Sequence, residues 1–324
     1  MIMQKKLNKE EVIKLINSLG LSNKDFTVLS SGALVLRNIM DGANDLDIAV
    51  NKKGFEQLKQ KYSLIDKGNN FYIVTDNIEC VIDDMKNKRE KYDDYYLQDI
   101  ECYLDFIEKS NREKDKLRII IIKDYLKQIM QYKSIEEQNA FLIKVIKKNK
   151  ELMEILEYLR KIDLPNFYIA AGCVFQTIWN YLDNKPLNDK VKDIDIIYYD
   201  NSDLSKESEL AIEKKISQHF NNMDYKFDVH NEARMHLWKE EHEHVIIDPY
   251  KNSEDAISRW LATLHAIGIT LKNNKIKVYA PYGFNDIYSR TVRPIKHAGN
   301  NKEKYDKKAQ SWKSRFENLK IIGW

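Results

Sequence analysis

Two pairs of aspartates, Asp45-Leu46-Asp47 and Asp193-Ile194-Asp195, each stand at the head of a run that alternates like a β-strand. In extended chain, residues i and i+2 point to one face about 6–7 Å apart, so each pair presents two carboxylates side by side. Hard divalent cations such as Mg²⁺ select oxygen donors of this kind. Two such ions about 4 Å apart can clamp the attacking and leaving oxygens of a phosphoryl transfer. A third acid follows each pair on a later predicted strand. Glu79 lies 32 residues after Asp47, and Asp228 lies 33 after Asp195. It could hold a second ion or take the acceptor's proton. Ahead of each pair a glycine (Gly32, Gly172) ends a strand and opens a helix, where close backbone approach and the helix N-terminus favour phosphate. A lone Asp-x-Asp often marks only a solvated strand end. The same ordered set occurring twice argues for chemistry.

The elements that must position these groups follow from pattern. A helix spans 9–18 and stops at Gly20; a strand at 26–29 leads into Ser30-Ser31-Gly32 and a helical run through Ile39. A strand at 45–50, a helix at 56–62 and a hairpin of strands at 71–75 and 78–82 come next. From about Tyr96 to Lys161 the pattern is helical. The order then begins again: strand 167–170, helix from Gly172 to Tyr181, strand 193–199, helix 205–220, strand 226–229. The expectation is an α/β chain of α+β type with two tandem domains, 1–132 and 133–324. Each is a small mixed sheet flanked by helices, and a helical segment joins them. A chain of 324 residues has room for two such cores.

Composition narrows the function classes. Lys+Arg number 53 against 50 Asp+Glu, for a net charge of +3, so no basic footprint for sequence-independent nucleic-acid binding exists. Cys80, Cys102 and Cys173 lie far apart without CxxC spacing, which argues for a reducing compartment and against a cysteine zinc site. The opening Met1-Ile-Met-Gln-Lys-Lys6 carries no long apolar stretch, and no run of about 18 apolar residues occurs. A cytoplasmic protein without a membrane span is expected. Neither Gly-x-x-x-x-Gly-Lys-Ser/Thr nor Gly-x-Gly-x-x-Gly is present, which disfavours P-loop and Rossmann readings.

The glycine turn, Asp-x-Asp and later carboxylate resemble the nucleotidyltransferase superfamily. Residues from about 148 to 324 closely resemble a bacterial nucleotidyltransferase family formerly of unknown function. The resemblance is carried by Phe167-Tyr-Ile-Ala-Ala-Gly-Cys173, Asp193-Ile-Asp-Ile-Ile-Tyr-Tyr-Asp200, Phe227–Trp238, Ser253–Ile257 and Val278–Asp286. Residues from about 1 to 130 are similar, over shorter stretches, to nucleotidyltransferases of abortive-infection and toxin–antitoxin systems. There the carriers are Ser31-Gly-Ala-Leu34, Asn44–Ala49 and Arg112-Glu-Lys-Asp115. Ala33 and Cys173 stand where the superfamily has a phosphate-binding Gly or Ser. The resemblance implies a nucleoside triphosphate donor and Mg²⁺ (or Mn²⁺), with the metal ligands Asp45, Asp47, Glu79, Asp193, Asp195 and Asp228. It supplies no acceptor; the reading is transfer of a nucleoside monophosphate to an acceptor hydroxyl on a small molecule, an RNA or a protein. The rival from another class is a non-catalytic, antitoxin-like nucleotide-binding module. The fuller match makes the second half the expected main catalytic unit.

Nucleotide contacts are expected at Ser31, Gly32, Gly172 and Cys173. If Asp228–Trp238 ran as one strand, Arg234, His236 and Trp238 would share the face of Asp228. Arg234 could then grip a triphosphate, and His236 could meet the acceptor or the pyrophosphate. A bend after His230 would instead separate them and leave Trp238 to the core. Lys109, Arg112 and Lys114 either meet donor phosphates or form a solvated turn. His242-Glu-His244 lacks His-Glu-x-x-His spacing and reads as polar strand or loop.

Overall fold

The structure, a computed structural model, describes residues 6–85 and 88–324. Met1–Lys5, within the N-terminal stretch read above, lie outside them. The chain divides into two compact units, Met1–Tyr125 and Leu126–Trp324.

In the first unit, α1 (Lys9–Leu19) starts at a capping box in which the Asn8 side chain and Glu11 satisfy each other's backbone N–H. It ends at Gly20, whose φ of 70° is left-handed. β1 (Phe26–Val28), α2 (Ser30–Leu36), β2 (Leu46–Val50) and α3 (Lys52–Lys61) follow, then β3 (Ile65–Gly68), β4 (Phe71–Thr75) and β5 (Ile78–Ile82). A second hairpin, β6 (Arg89–Tyr92) and β7 (Tyr95–Gln98), precedes α4 (Ile100–Ser110) and α5 (Lys116–Ile129). Among the described residues the strands form one sheet in the order β3-β4-β5-β2-β1-β7-β6. Here the helical reading from Tyr96 is corrected. Tyr95–Gln98 pairs antiparallel with β6 and, at Leu97, parallel with β1, and the helix begins only after the Asp99 cap. β2 runs parallel to β5 and antiparallel to β1. Val12, Phe26, Val28, Leu46, Ile48 and Val50 form the core that fixes both strands.

The second unit opens with α6 (Ile135–Ile146) and α7 (Lys150–Lys161), started by caps at Ser134 and Asn149. β8 (Tyr168–Ala170), α8 (Gly172–Leu182), β9 (Asp193–Tyr198), α9 (Lys206–His219) and β10 (Lys226–Asn231) come next. The chain continues through α10 (Met235–Glu243), α11 (Ser253–Ser258), β11 (Gly268–Lys272) and β12 (Lys275–Tyr279). It closes with α12 (Asn285–Tyr288), β13 (Thr291–Val292), α13 (Lys302–Lys313) and β14 (Lys320–Ile321). The main sheet has the order β10-β9-β8-β11-β12, with β9 parallel to β10 and antiparallel to β8. α8 is buried along its whole length, with Phe175 and Trp179 packed edge-on to each other and to α13 and the segment beyond it through Trp312 and Phe316. Among the described residues no helix is long and apolar enough to cross a membrane.

Candidate functional site

Strand alternation puts the second aspartate of each pair on the sheet face that carries the third acid. Asp47 on β2 is the register partner of Glu79 on β5, and Asp195 on β9 is the partner of Asp228 on β10. Adjacent strands lie about 4.8 Å apart, so the parallel pairing alone brings each third acid beside its pair.

In the first unit Asp45, Asp47, Glu79 and Ser31 line one cavity of about 790 Å³, together with Lys67, Arg112, Lys114 and Arg118. Burial, then the charge of Asp45, raises the Asp47 carboxyl; a hydrogen bond with Ser30 and the Arg118 charge oppose this. Both oxygens of Glu79 accept from Lys67 Nζ at 2.8 Å. The fully buried Asp115 accepts from Arg112 Nε at 2.6 Å and from Arg118 Nη1 at 3.1 Å, holding both guanidinium groups. Lys109 is exposed near the end of α4 and does not line the cavity. Gly32 is a packing position: a Cβ there would press on Leu46 and Val28 at 3.3 Å. The turn into α2 is strained, with Ser30 at φ 49°.

In the second unit the same junction is strained at Ala171, with φ 59° and ψ −125°. Gly172 follows because a Cβ there would meet Gln176 Nε2 at 2.7 Å. Gln176 Oε1 accepts from Arg315 Nη1 at 3.2 Å, and the Arg315 charge is felt by Asp193. Burial, then the neighbouring Asp193 charge, pushes the Asp195 carboxyl up to about 7, against the opposing charge of Lys308. Asp228 goes the other way, down to about 2, through the imidazole of His230 at 3.6 Å and then Lys226, which outweigh burial.

Several expected contacts are not brought to this face. β10 ends at Asn231, whose side chain accepts from Ala233 N and donates to Asp200 O. A 3₁₀ turn (Glu232–Arg234) and α10 follow, so Arg234, His236 and Trp238 do not continue the strand. Arg234 is buried, donating to Glu209 at 2.8 Å and to Leu204 O, because a guanidinium inside a fold needs a carboxylate. His236 sits on α10 with its Nδ1 buried. The Cys173 thiol is buried too, donating to Ala170 O at 3.2 Å, and burial holds it protonated. His242 belongs to α10, stacked on Trp238, rather than to a strand or loop, while His244 is the left-handed residue that follows the helix into the loop. Arg315 and Lys308 were missed in the sequence. They come from α13 and the residues just after it, where a lysine-rich stretch gives no cue that two of its cations act on the charge of acids over 110 residues away.

Beside Asp195 lies a second cavity, of about 270 Å³, whose walls include Trp238, Trp260 and Tyr250. Glu232 lines it while only 2 % exposed, and burial pushes its carboxyl up to about 7.

A divalent cation fits the chemistry of the aspartate pairs, since an opposite charge would offset the burial and the like-charge repulsion that raise Asp47 and Asp195. The third acids are engaged by Lys67 and by Lys226 with His230. Among the described residues no three carboxylate, imidazole or thiol groups gather closely enough to enclose an ion. Glu79 and Asp228 would join one only by leaving their present partners.

A model of a nucleotidyltransferase family matches residues 157–321. The chain is also similar to a solved NMR structure described as revealing a CCA-adding enzyme head domain. That likeness has 29 % identity and a TM-score of 0.49, and covers 56 % of this chain and 95 % of that one. No curated protein matches.

Proposed function

Since the chain belongs to a nucleotidyltransferase family, we propose that it transfers a nucleoside monophosphate from a nucleoside triphosphate to an acceptor hydroxyl with a bound divalent cation. The observation that carries the metal-site reading is the register of Asp195 with Asp228 inside the matched segment, beside the strained turn into α8. Asp193 and Asp195 would hold Mg²⁺ (or Mn²⁺), which when bound supplies charge neutralisation at the transferring phosphorus.

The rest is work for the chain's own groups. The N-terminus of α8 at Gly172 receives phosphate oxygens. Arg315, anchored on Gln176 and Lys190 O, meets the leaving pyrophosphate. Asp228 accepts a hydrogen bond from the acceptor hydroxyl and orients it; the hydroxyl proton passes to water as the acceptor oxygen bonds to phosphorus. The bond from that phosphorus to the pyrophosphate oxygen breaks in line. The acceptor is a small molecule, an RNA or a protein side chain, met in the cytoplasm.

The first unit supports a second site of the same kind. One cavity there is lined by three acids and by Lys67, Arg112, Lys114 and Arg118, enough positive charge for a triphosphate.

The test compares nucleotide transfer from each labelled triphosphate, with cell extract as acceptor source, in Asp193→Asn/Asp195→Asn and Asp45→Asn/Asp47→Asn proteins. The second-unit change should abolish transfer, and the first-unit change should alter it less. Full retention in the first protein with complete loss in the second would reverse the ranking. No labelled product from the unaltered chain would sink the reading in favour of a binding module.

A further inference from the structure

Resting on the nucleotidyl-transfer reading, we propose that the cavity beside Asp195 holds the purine base of the donor nucleotide, with Glu232 accepting hydrogen bonds from its N–H edge.

Size sets the first limit. The cavity of about 270 Å³ falls just below the roughly 300–1,000 Å³ typical of sites for drug-sized ligands. A one- or two-ring heterocycle fits it, whereas a chain of sugars does not. Charge sets the second. The cations of the lining are already paired, Lys239 and Lys304 with Glu243 and Arg259 with Asp255, so they are not free to select an anionic guest over a neutral one. Shape sets the third. Trp238, Trp260 and Tyr250 present flat faces, and stacking a base on one such ring contributes about 1–3 kcal/mol.

Glu232 points to hydrogen bonding at the base edge. Its Oε2 is buried with no hydrogen-bond partner among the described residues, a state that costs free energy until a donor arrives. His265 Nδ1, also in the lining, is buried and unpartnered as well. Burial holds that imidazole neutral, its pKa down to about 3. Adenine offers an exocyclic N–H₂ and guanine an N–H beside one. Pyrimidines have less face to stack. Asp195 lines the same cavity, so a base seated there leaves its phosphates at the aspartate pair.

All five tryptophans lie in the second unit, at residue 179 and beyond, so tryptophan emission from the full chain reports on that unit. The unaltered protein, Glu232→Leu and Trp238→Ala would be titrated with ATP, GTP, CTP and inorganic tripolyphosphate in Mg²⁺. ATP or GTP should quench emission, the tighter of the two naming the base, and tripolyphosphate should displace it without quenching. Glu232→Leu should weaken the purine nucleotide about tenfold or more, as loss of a charge-assisted hydrogen bond does, and should melt no lower than the unaltered chain. Trp238→Ala, at a half-exposed position, should cut the quench. Both should leave tripolyphosphate affinity unchanged.

Purine binding and quench unaltered in both variants, or CTP binding as tightly as ATP and GTP, would overturn the pocket assignment while leaving nucleotidyl transfer standing. An unaltered protein that binds neither nucleotide nor tripolyphosphate would overturn both.

Discussion

Asp228 stands directly across from Asp195 in the parallel pairing of β9 and β10, yet the two carboxylates are perturbed in opposite directions, Asp195 up to about 7 and Asp228 down to about 2. Burial and Asp193 act on the first; His230 and Lys226 act on the second. Neighbouring acids of the candidate site thus differ in how tightly each holds a proton.

Their amides should move stability in opposite directions in metal-free protein. Asp195→Asn removes a carboxylate that its surroundings resist and should stabilise by about 1 kcal/mol, after allowance for solvent at a half-buried site. Asp228→Asn removes a favourably paired one and should destabilise by about 1 kcal/mol. For Asp228 the favourable contribution is present above its ordinary 3.8 and is lost as pH falls toward 2. Urea unfolding with chelator measures both; shifts of the same sign would show the assigned causes to be wrong.

Glu232 makes stability fall as pH rises. Its folded-state pKa of about 7 lies above the ordinary 4.5, so the folded form binds the proton more tightly. Its cost is absent below about pH 4.5, grows as pH rises to about 7 and is level above, reaching at most about 3 kcal/mol. Unfolding free energies of the unaltered chain and Glu232→Leu, compared across this range, should diverge toward neutral pH. A constant difference would mean that Glu232 does not titrate there.

Asp115 orders the cations of the first unit. Asp115→Ala leaves Arg112 and Arg118 without their buried partner and should destabilise that unit by about 2 kcal/mol, short of the full buried-pair cost because both arginines reach solvent. It should also weaken nucleotide binding by Asp193→Asn/Asp195→Asn protein, where only the first site remains. Chemical denaturation and equilibrium dialysis read the two effects. Binding unchanged despite lost stability would leave Asp115 with a purely structural role.

Ala171 stores strain at the mouth of α8. Ala171→Gly removes the Cβ that its φ of 59° and ψ of −125° disfavour. It should raise stability by about 1 kcal/mol, net of glycine's greater unfolded-state freedom. Transfer activity should fall, because the loosened turn no longer aims the helix N-terminus. A less stable variant would show the conformation to be unstrained.

The repeated order of elements was legible in the sequence because its signals are local. Period-two alternation marks Leu46–Val50 and Asp193–Tyr198 as strands, and Ser30-Ser-Gly and Ala171-Gly mark the turns before helices. The spacing of Glu79 and Asp228 behind their pairs was legible too. That each is the register partner of Asp47 or Asp195 was decided by strand pairing. The hairpin of β6 and β7 escaped because Arg89–Tyr92 and Tyr95–Gln98 are polar and aromatic without alternation, and only pairing at Leu97 draws them onto the sheet. Asn231 ends β10 by bonding Asp200, 31 residues away, so Arg234 turns inward to Glu209 while Glu232 Oε2, in the lining of the cavity, is left buried without a hydrogen-bond partner among the described residues. The charges of Arg315 and Lys308 act on Asp193 and Asp195 only once α8 and α13 have packed. Local sequence therefore determined which acids could act. Which charges and which cavity surround them depended on contacts between distant segments, and those contacts exist only in the folded chain.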